Sequence, residues 1–188
     1  MKIGHLAFVL SLLLFACKKD SPEDTIDFGP DGGYQTRNSQ NYPGNGPNDA
    51  TDWIADGPWN AREKELFTRL NLSLDGVLPT TIIWNAGAYP NPSAAAGTFN
   101  LTIRADPTTP APADAWVSIV IVDKKYKELR RIDAALTSYT AFSIPNALTA
   151  FNPTIPTLAA GALYRIYYVC YVPGQQVLFR SHGDMKVE

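Results

Sequence analysis

The segment that decides the fold is Trp116-Val117-Ser118-Ile119-Val120-Ile121-Val122, in which β-branched residues follow one another almost without interruption. Such a run is typical of a central strand. Before it, residues 98–103 alternate apolar and polar side chains. This alternation predicts a strand with Phe99, Leu101 and Ile103 pointing inward. The two segments together favour a chain built from strands.

Further strand-like segments follow the central one. Asp123-Lys124-Lys125 predicts a turn into a strand over residues 126–132, and residues 139–144 predict another strand. The longest segment, Leu163–Val172, turns at Pro173-Gly174-Gln175 into a last strand over residues 176–180. Short strands with frequent turn residues are typical of an antiparallel β-sandwich, whereas parallel βαβ units would need helical patterns between the strands. The predicted fold class is therefore all-β, as an antiparallel sandwich.

One short helix is predicted ahead of the strands, over residues 59–70. Asn60 can cap this helix, and Glu63 follows three residues later, as in a capping box. The residues between them and after them are good helix formers. Gly76 and Pro79 end any continuation.

The first sixteen residues have the layout of a secretory signal peptide. Lys2 gives a positive start, and an apolar run follows that is shorter than the roughly 20 residues of a membrane-spanning helix. The block Leu14-Phe15-Ala16-Cys17 resembles the lipobox of bacterial lipoproteins, in which the Cys becomes the N-terminus and carries acyl chains. The resemblance implies lipidation at Cys17. The alternative is an ordinary secretory signal with an incidental Cys.

The implied lipid makes a membrane the expected partner of the N-terminus, because two acyl chains already give stable anchoring. Asp20 stands at the fourth mature position and not directly after Cys17, so the inner-membrane retention pattern is missing. We therefore expect an outer-membrane location. The acidic residues just beyond the Cys resemble the export signals of lipoproteins displayed on the cell surface; the alternative is a solvated charge run in a linker.

Residues 17–58 are rich in Gly, Pro, Asn, Asp and Ser. Their apolar residues are too few to offset the entropy lost on ordering, so this region is interpreted as a disordered, flexible tether of ~40 residues with a reach of about 35 Å. The predicted organisation is a signal peptide over 1–16, a lipidated Cys and tether over 17–58, and a helix plus β-sandwich domain over 59–188.

The net charge bears on possible binding partners, and the cysteine content bears on possible disulfide bonds. The 188 residues carry a net charge of −2, and removal of a signal containing Lys2 leaves 15 basic and 18 acidic residues. This balance does not suggest nucleic acid as a partner. With Cys17 lipidated, Cys170 has no disulfide partner, and its apolar surroundings in the sequence indicate a small buried hydrophobe.

The C-terminal half resembles a known type of domain. Ala88-Tyr89-Pro90-Asn91-Pro92-Ser93, followed by Gly97-Thr98-Phe99-Asn100-Leu101, looks like the opening of a type IX secretion C-terminal sorting domain. Residues 117–129 resemble its strand–Asp–turn–strand block, and Ala160-Gly161-Ala162-Leu163-Tyr164 resembles the segment with a Gly and a Tyr that opens a late strand. The resemblance covers residues 89–188 and implies an immunoglobulin-like β-sandwich. Departures are the extra Ala94-Ala95-Ala96 and the missing large cargo.

Catalytic motifs are missing from the sequence. Ser181, His182 and Asp184 have the residue types of a hydrolase triad, but they are too close in sequence to meet, so His182 is interpreted as a surface residue. No HExxH, Gly-x-Ser-x-Gly, P-loop or dinucleotide motif occurs. Acids such as Asp52 and Asp56 flank linkers or turns and are interpreted as solvated. We predict no catalytic residue, no metal and no cofactor.

Aromatic residues are the candidates for binding. Trp53 and Trp84 could stack on sugar rings or anchor a protein interface if exposed. Arg165, Tyr167 and Tyr171 share one face of the longest strand and could form an exposed recognition patch. The alternative is that this face is covered and belongs to the core.

These observations lead to a hypothesis with alternatives. The expected function is that of a lipid-anchored, non-catalytic cell-envelope protein that serves binding, with a protein or glycan ligand, or envelope structure. A carbohydrate-binding surface module would need Trp53, Trp84 or Tyr167 exposed on one concave face. A type IX sorting-domain relative would need an exposed edge at Tyr89–Pro92, and a small hydrolase would need two carboxylates facing each other across a cleft.

Overall fold

Nine strands and one α-helix make up the regular structure in the computed structural model, which describes residues 25–29, 32–79, 84–146 and 157–188. The predicted signal peptide and Cys17 lie outside the described residues. The α-helix, α1, spans Ala61–Glu65, and a 3-10 turn follows at Thr68–Leu70. The strands are β1 Gln35–Arg37, β2 Pro43–Asn48, β3 Trp84–Tyr89, β4 Thr98–Ala105, β5 Trp116–Val122, β6 Glu128–Ala135, β7 Tyr139–Pro145, β8 Leu163–Val172 and β9 Gln176–Lys186.

The strands form a sandwich of two antiparallel sheets, in the orders β6-β5-β8-β9 and β3-β4-β7. The predicted all-β sandwich is therefore confirmed. Phe99, Leu101 and Ile103 of β4 are fully buried and pack with residues of β5 and β8 such as Ile119 and Ile166. The predicted inward face of this strand is also confirmed.

The outer face of the four-stranded sheet is covered by the N-terminal part of the chain. Ile26, Trp59, Phe67 and Leu74 pack as a second apolar cluster, together with outward-facing residues of β5, β8 and β9. Both faces of the central strands are therefore buried. This explains why residues 116–122 and 163–172 are apolar on both faces, since each face contacts a different layer.

The capping box predicted at Asn60 is present. The Asn60 Oδ1 accepts a bond from the backbone N–H of Glu63 (3.0 Å), and a Glu63 carboxylate oxygen accepts one from the Asn60 N–H (2.7 Å). The α-helix ends at Glu65, earlier than the pattern predicts. The chain bends there because Phe67 enters the apolar cluster and stacks on Trp59, with ring centroids 5.4 Å apart.

The part of residues 17–58 that the structure describes differs from the expected flexible tether. Strands β1 and β2 pair as a short hairpin, and Ile26 and Trp53 are buried. The Ile26 N–H donates to the Lys124 carbonyl oxygen (2.8 Å), and the Trp53 N–H donates to that of His182 (2.7 Å). Backbone bonds to the sandwich and two buried apolar side chains order this segment despite its low apolar content.

Two strands depart from the sequence-based prediction. Strand β3 has the sequence Trp-Asn-Ala-Gly-Ala-Tyr, whose small residues have low strand propensity, yet it pairs with β4 along its whole length. Strand β9 runs six residues beyond the predicted Arg180, because it pairs with β8 as far as Lys186. Tertiary pairing decides both cases.

Candidate functional site

The five side chains predicted to bind a ligand are all buried. The exposed fractions are 6% for Trp53, 8% for Trp84, 9% for Arg165, 0% for Tyr167 and 8% for Tyr171. None of them forms the exposed patch considered from the sequence. The covering N-terminal layer is the physical reason for Arg165, Tyr167 and Tyr171, and packing within the sandwich is the reason for the two Trp residues.

Trp53 and Trp84 belong to the sandwich core. The Trp53 ring lies directly on Gly183, where an added Cβ would stand 2.2 Å from its Cε2 atom, and it stacks with Tyr168. The Trp84 ring packs against Phe179 with centroids 6.0 Å apart. Neither Trp ring is therefore exposed enough to stack on a sugar ring.

Arg165 makes a buried ion pair. Its Nε and Nη2 donate to the two carboxylate oxygens of Asp184, at 2.8 and 2.6 Å, and Nη2 also donates to the Asp27 carbonyl oxygen (3.1 Å). The Asp184 side chain is fully buried. The donors of the guanidinium are therefore bonded to acceptors within the protein. Through these bonds Arg165 connects the segment around Asp27 to strand β9.

Asp52 is also buried, in contrast to its expected solvation. Its carboxylate accepts bonds from the backbone N–H groups of Gln35 (3.1 Å) and Asp184 (3.0 Å), and so joins β1 to β9. Burial, and then the nearby Asp184 carboxylate, raise the pKa of Asp52 to about 9. Asp52 therefore serves as a link between segments, and its burial favours the protonated form.

His182 is partly buried, although the sequence predicted a surface residue. Its Nδ1 lies 2.8 Å from an Asp56 carboxylate oxygen, and the other oxygen of Asp56 accepts a bond from the Trp59 Nε1–H (2.6 Å). The Ser181 hydroxyl donates to the His182 carbonyl oxygen (3.1 Å). As expected, Ser181, His182 and Asp184 do not assemble a triad, because His182 is bonded to Asp56 and Asp184 to a different partner.

Cys170 is fully buried in the core, as its apolar surroundings predicted. Burial raises the pKa of its thiol. The described residues contain no group of three or more His, Cys, Asp or Glu side chains placed to hold a metal ion. Within the same ranges no helix is long and apolar enough to cross a membrane.

The outer face of the three-stranded sheet carries mostly polar or small residues, several of them exposed. Cross-strand pairing arranges them in three rows. The rows are Asn85, Arg104 and Tyr139; Gly87, Thr102 and Ala141; and Tyr89, Asn100 and Ser143. The middle row consists of small residues. The floor of the face is therefore lower than the rows on either side.

This low floor opens into a small depression of about 110 Å³. We call it the polar depression; it is lined by Asn41, Asn85, Tyr89, Thr102, Arg104 and Tyr139. Tyr139 is 57% exposed and has the most accessible ring of the site. Partial burial, and then the neighbouring Tyr139, raise the pKa of the Tyr89 hydroxyl.

A guanidinium group borders the polar depression. The Arg37 side chain lies over Gly87, and its Nε is 3.6 Å from where a Cβ of that residue would be. Its Nη1 donates to the backbone and side-chain oxygens of Asn41 (both 3.3 Å), and its Nη2 donates to the Gln35 Oε1 (3.0 Å). All of these acceptors are neutral. The Arg37 Nε is buried and bonds to no acceptor in the described part of the chain.

Arg104 adds a second positive charge. It is exposed and makes no hydrogen bond or ion pair within the described ranges. The nearest acid in sequence, Asp106, is bonded instead by the hydroxyl and backbone N–H of Thr108, and these bonds, with a smaller contribution from Arg104, lower its pKa. None of the six lining residues is acidic.

The sequence alone could not locate this site. Asn41 belongs to the segment interpreted as a tether, and Asn85 and Tyr89 lie on the unpredicted strand β3. The polar positions of β4 were visible as the outward half of the alternation. Their neighbours became known only through the pairing of β4 with β3 and β7.

Comparisons with known proteins assign no family to the chain. No family model and no curated protein matches it. One similar solved structure is a CARDB domain from Pyrococcus furiosus crystallised with di-metal ions, at 11% identity and a TM-score of 0.33, covering 60% of this chain and 94% of that one.

Two further solved structures are carbohydrate-active enzymes, of which the chain spans only a small part. A protein described as a β-galactosidase from Bacteroides fragilis is 13% identical over 57% of this chain and 16% of its own, with a TM-score of 0.29. A β-glucosidase from Listeria innocua is 10% identical over 73% of this chain and 21% of its own, with a TM-score of 0.30.

Proposed function

We propose that the chain is a lipid-anchored, non-catalytic binding module of the cell envelope, and that the polar depression is its binding surface. The observation that carries the proposal is the exposed sheet face on which two guanidinium groups, Arg37 and Arg104, stand without an acidic partner among the lining residues. Positive charge on an exposed surface raises the local concentration of anionic ligands and so favours their binding.

The lipid anchor rests on the sequence. Leu14-Phe15-Ala16-Cys17 follows a signal-like apolar run, and an outer-membrane location, on the cell surface, is consistent with the residues after Cys17. Intact-mass analysis of membrane-extracted protein tests the anchor, with Cys17→Ser beside it. We expect a diacylglyceryl mass that the variant lacks, and removal of the domain by protease added to live cells. An unmodified, soluble protein would contradict the anchor.

The hydrogen bonds of three buried or partly buried acidic residues support a binding role over a catalytic one. Asp52 accepts two backbone N–H bonds, Asp184 pairs with Arg165, and Asp56 lies between His182 and Trp59. Each carboxylate is thus engaged by protein groups. A small hydrolase needs two carboxylates that face each other across an open cleft.

The type IX sorting-domain alternative receives less support. It requires an exposed edge at Tyr89–Pro92, but Asn91 in this segment is fully buried. The Asn91 side chain donates to the Asp184 carbonyl oxygen (2.9 Å) and accepts from the Lys186 N–H (3.0 Å). Its backbone also pairs with Arg37. The segment therefore fastens β9 to the hairpin.

Binding to isolated cell-envelope fractions tests the proposed surface. Tyr139→Ala removes the most exposed ring of the polar depression, and Trp116→Ala is the matched control, since Trp116 is 40% exposed on the other sheet. We expect weaker sedimentation with envelopes for Tyr139→Ala and no change for Trp116→Ala. Equal binding of both variants and the wild type would exclude the polar depression as the binding surface.

A further inference from the structure

We infer that the polar depression binds a carboxylate-bearing glycan, that is, an acidic polysaccharide chain. This inference rests on the proposed binding role of the same face and adds the chemical class of the ligand. Three properties of the site carry it: its positive charge without an acidic lining residue, its lining of hydroxyl and amide groups, and its small size.

The charge favours an anion. Arg37 is held by the neutral oxygens of Gln35 and Asn41, and Arg104 is exposed, with Asp106 as the acid whose pKa it lowers. A guanidinium is planar and presents parallel N–H donors that match a carboxylate. Arg104 can therefore bind a sugar carboxylate through two bonds, while Arg37, behind Asn41, adds to the positive potential of the site.

The remaining lining groups suit sugar hydroxyls. The Asn85 side chain carries a donor and an acceptor, the Asn41 side chain keeps its amide donors while its oxygen accepts from Arg37, and the hydroxyl groups of Tyr89 and Tyr139 can donate and accept. The exposed Tyr139 ring offers an apolar face beside these groups. A ligand with many hydroxyl groups and one flat side matches this combination.

The shape favours a chain over a compact small molecule. Small-molecule pockets typically have volumes of about 300–1,000 Å³, whereas the polar depression has about 110 Å³ and can hold only one part of a larger ligand. Nucleic acid is a poorer match, since phosphate backbones are bound by many basic groups and this chain has a net charge of −2. Two guanidinium groups suffice for isolated carboxylates along a glycan.

Calorimetric titration of the full chain tests the inference with three probes: tetrasaccharides of galacturonate, hyaluronate and alginate. Each probe is paired with its carboxyl-reduced counterpart, which has the same backbone and no charge. We expect at least one acidic probe to bind, with affinity roughly tenfold above its reduced counterpart, the size expected for a lost charged hydrogen bond.

Arg104→Gln then tests the residue assigned to the carboxylate. We expect it to lower affinity for the acidic probe about tenfold without affecting the reduced one. Arg62→Gln, the same change on α1 at the opposite face, leaves binding unchanged. Because Arg104 makes no bond in the described structure, its variant should keep the wild-type urea midpoint, which separates lost binding from unfolding.

The outcomes separate this inference from the proposed function. Equal binding of acidic and reduced probes, or an unaltered affinity in Arg104→Gln, overturns the carboxylate assignment. No binding of any acidic probe overturns it as well. If Tyr139→Ala still weakens envelope binding in those cases, the proposed binding surface stands; if it does not, both fail.

Discussion

Replacement of Arg165 by Met is the sharpest test of the buried polar links. The Asp184 carboxylate is fully buried and accepts two bonds from Arg165, at 2.8 and 2.6 Å. Met retains an apolar stem but removes the counter-ion, so a buried carboxylate is left unpaired. Loss of one partner of a buried ion pair costs about 3–5 kcal/mol, which is a large part of the 5–15 kcal/mol by which domains are typically stable.

Urea unfolding followed by Trp fluorescence in the Cys17→Ser background measures this cost. Arg62→Met is the matched control: its side chain is 51% exposed, and we expect a change within about 0.5 kcal/mol. The double variant Arg165→Met/Asp184→Leu removes both charges and should recover much of the loss. A loss below about 1 kcal/mol for Arg165→Met is the size expected for an exposed ion pair. That result would refute the reasoning that the buried pair stabilises the fold.

Three further predictions follow from buried groups. Gly183→Ala should lower stability by at least about 1–3 kcal/mol in urea unfolding, because the new methyl group would overlap the Trp53 ring; a neutral effect would contradict the packing. Burial raises the pKa of Asp52 to about 9, above its unfolded value of roughly 3.9. Between these two values the folded state binds one proton more than the unfolded state. The free energy of unfolding should therefore fall as pH rises from about 4 to 9. Asp52→Asn should abolish this slope, at most about 1.4 kcal/mol per pH unit, and an unchanged slope in pH-dependent melting would exclude Asp52 as its source. In Cys17→Ser protein, Cys170 should resist iodoacetamide until urea unfolds the chain; rapid labelling of the native state would contradict its burial.

The sequence was sufficient wherever a local pattern determines the structure. The inward face of Phe99, Leu101 and Ile103 follows from period-two alternation, and the capping box at Asn60 depends on residues only three apart. The continuous apolar run of β5 correctly indicated a central strand. In each case neighbouring residues carry the whole signal.

The rest depended on contacts that are remote in sequence. Trp53 is buried because it meets Gly183 about 130 residues later, and Asp52 because its carboxylate bonds the Asp184 backbone. Composition around both residues is that of a loop, so no local rule could place them in the interior. The polar depression likewise needs three separate segments, and the one containing Asn41 was interpreted as disordered.

The docking of Ile26 on the Lys124 carbonyl oxygen sets the reach of the domain. Only nine residue steps separate Cys17 from Ile26, which span roughly 30 Å when extended and about 17 Å as a coil. With the proposed lipid on Cys17, this short connection would keep Ile26, and with it Lys124 after β5, within that distance of the bilayer. Ligands fixed to the same leaflet then experience a high effective concentration of the domain, whereas ligands well beyond this radius are out of range. With the proposed lipid in place, the length of this connection would favour partners close to the membrane surface.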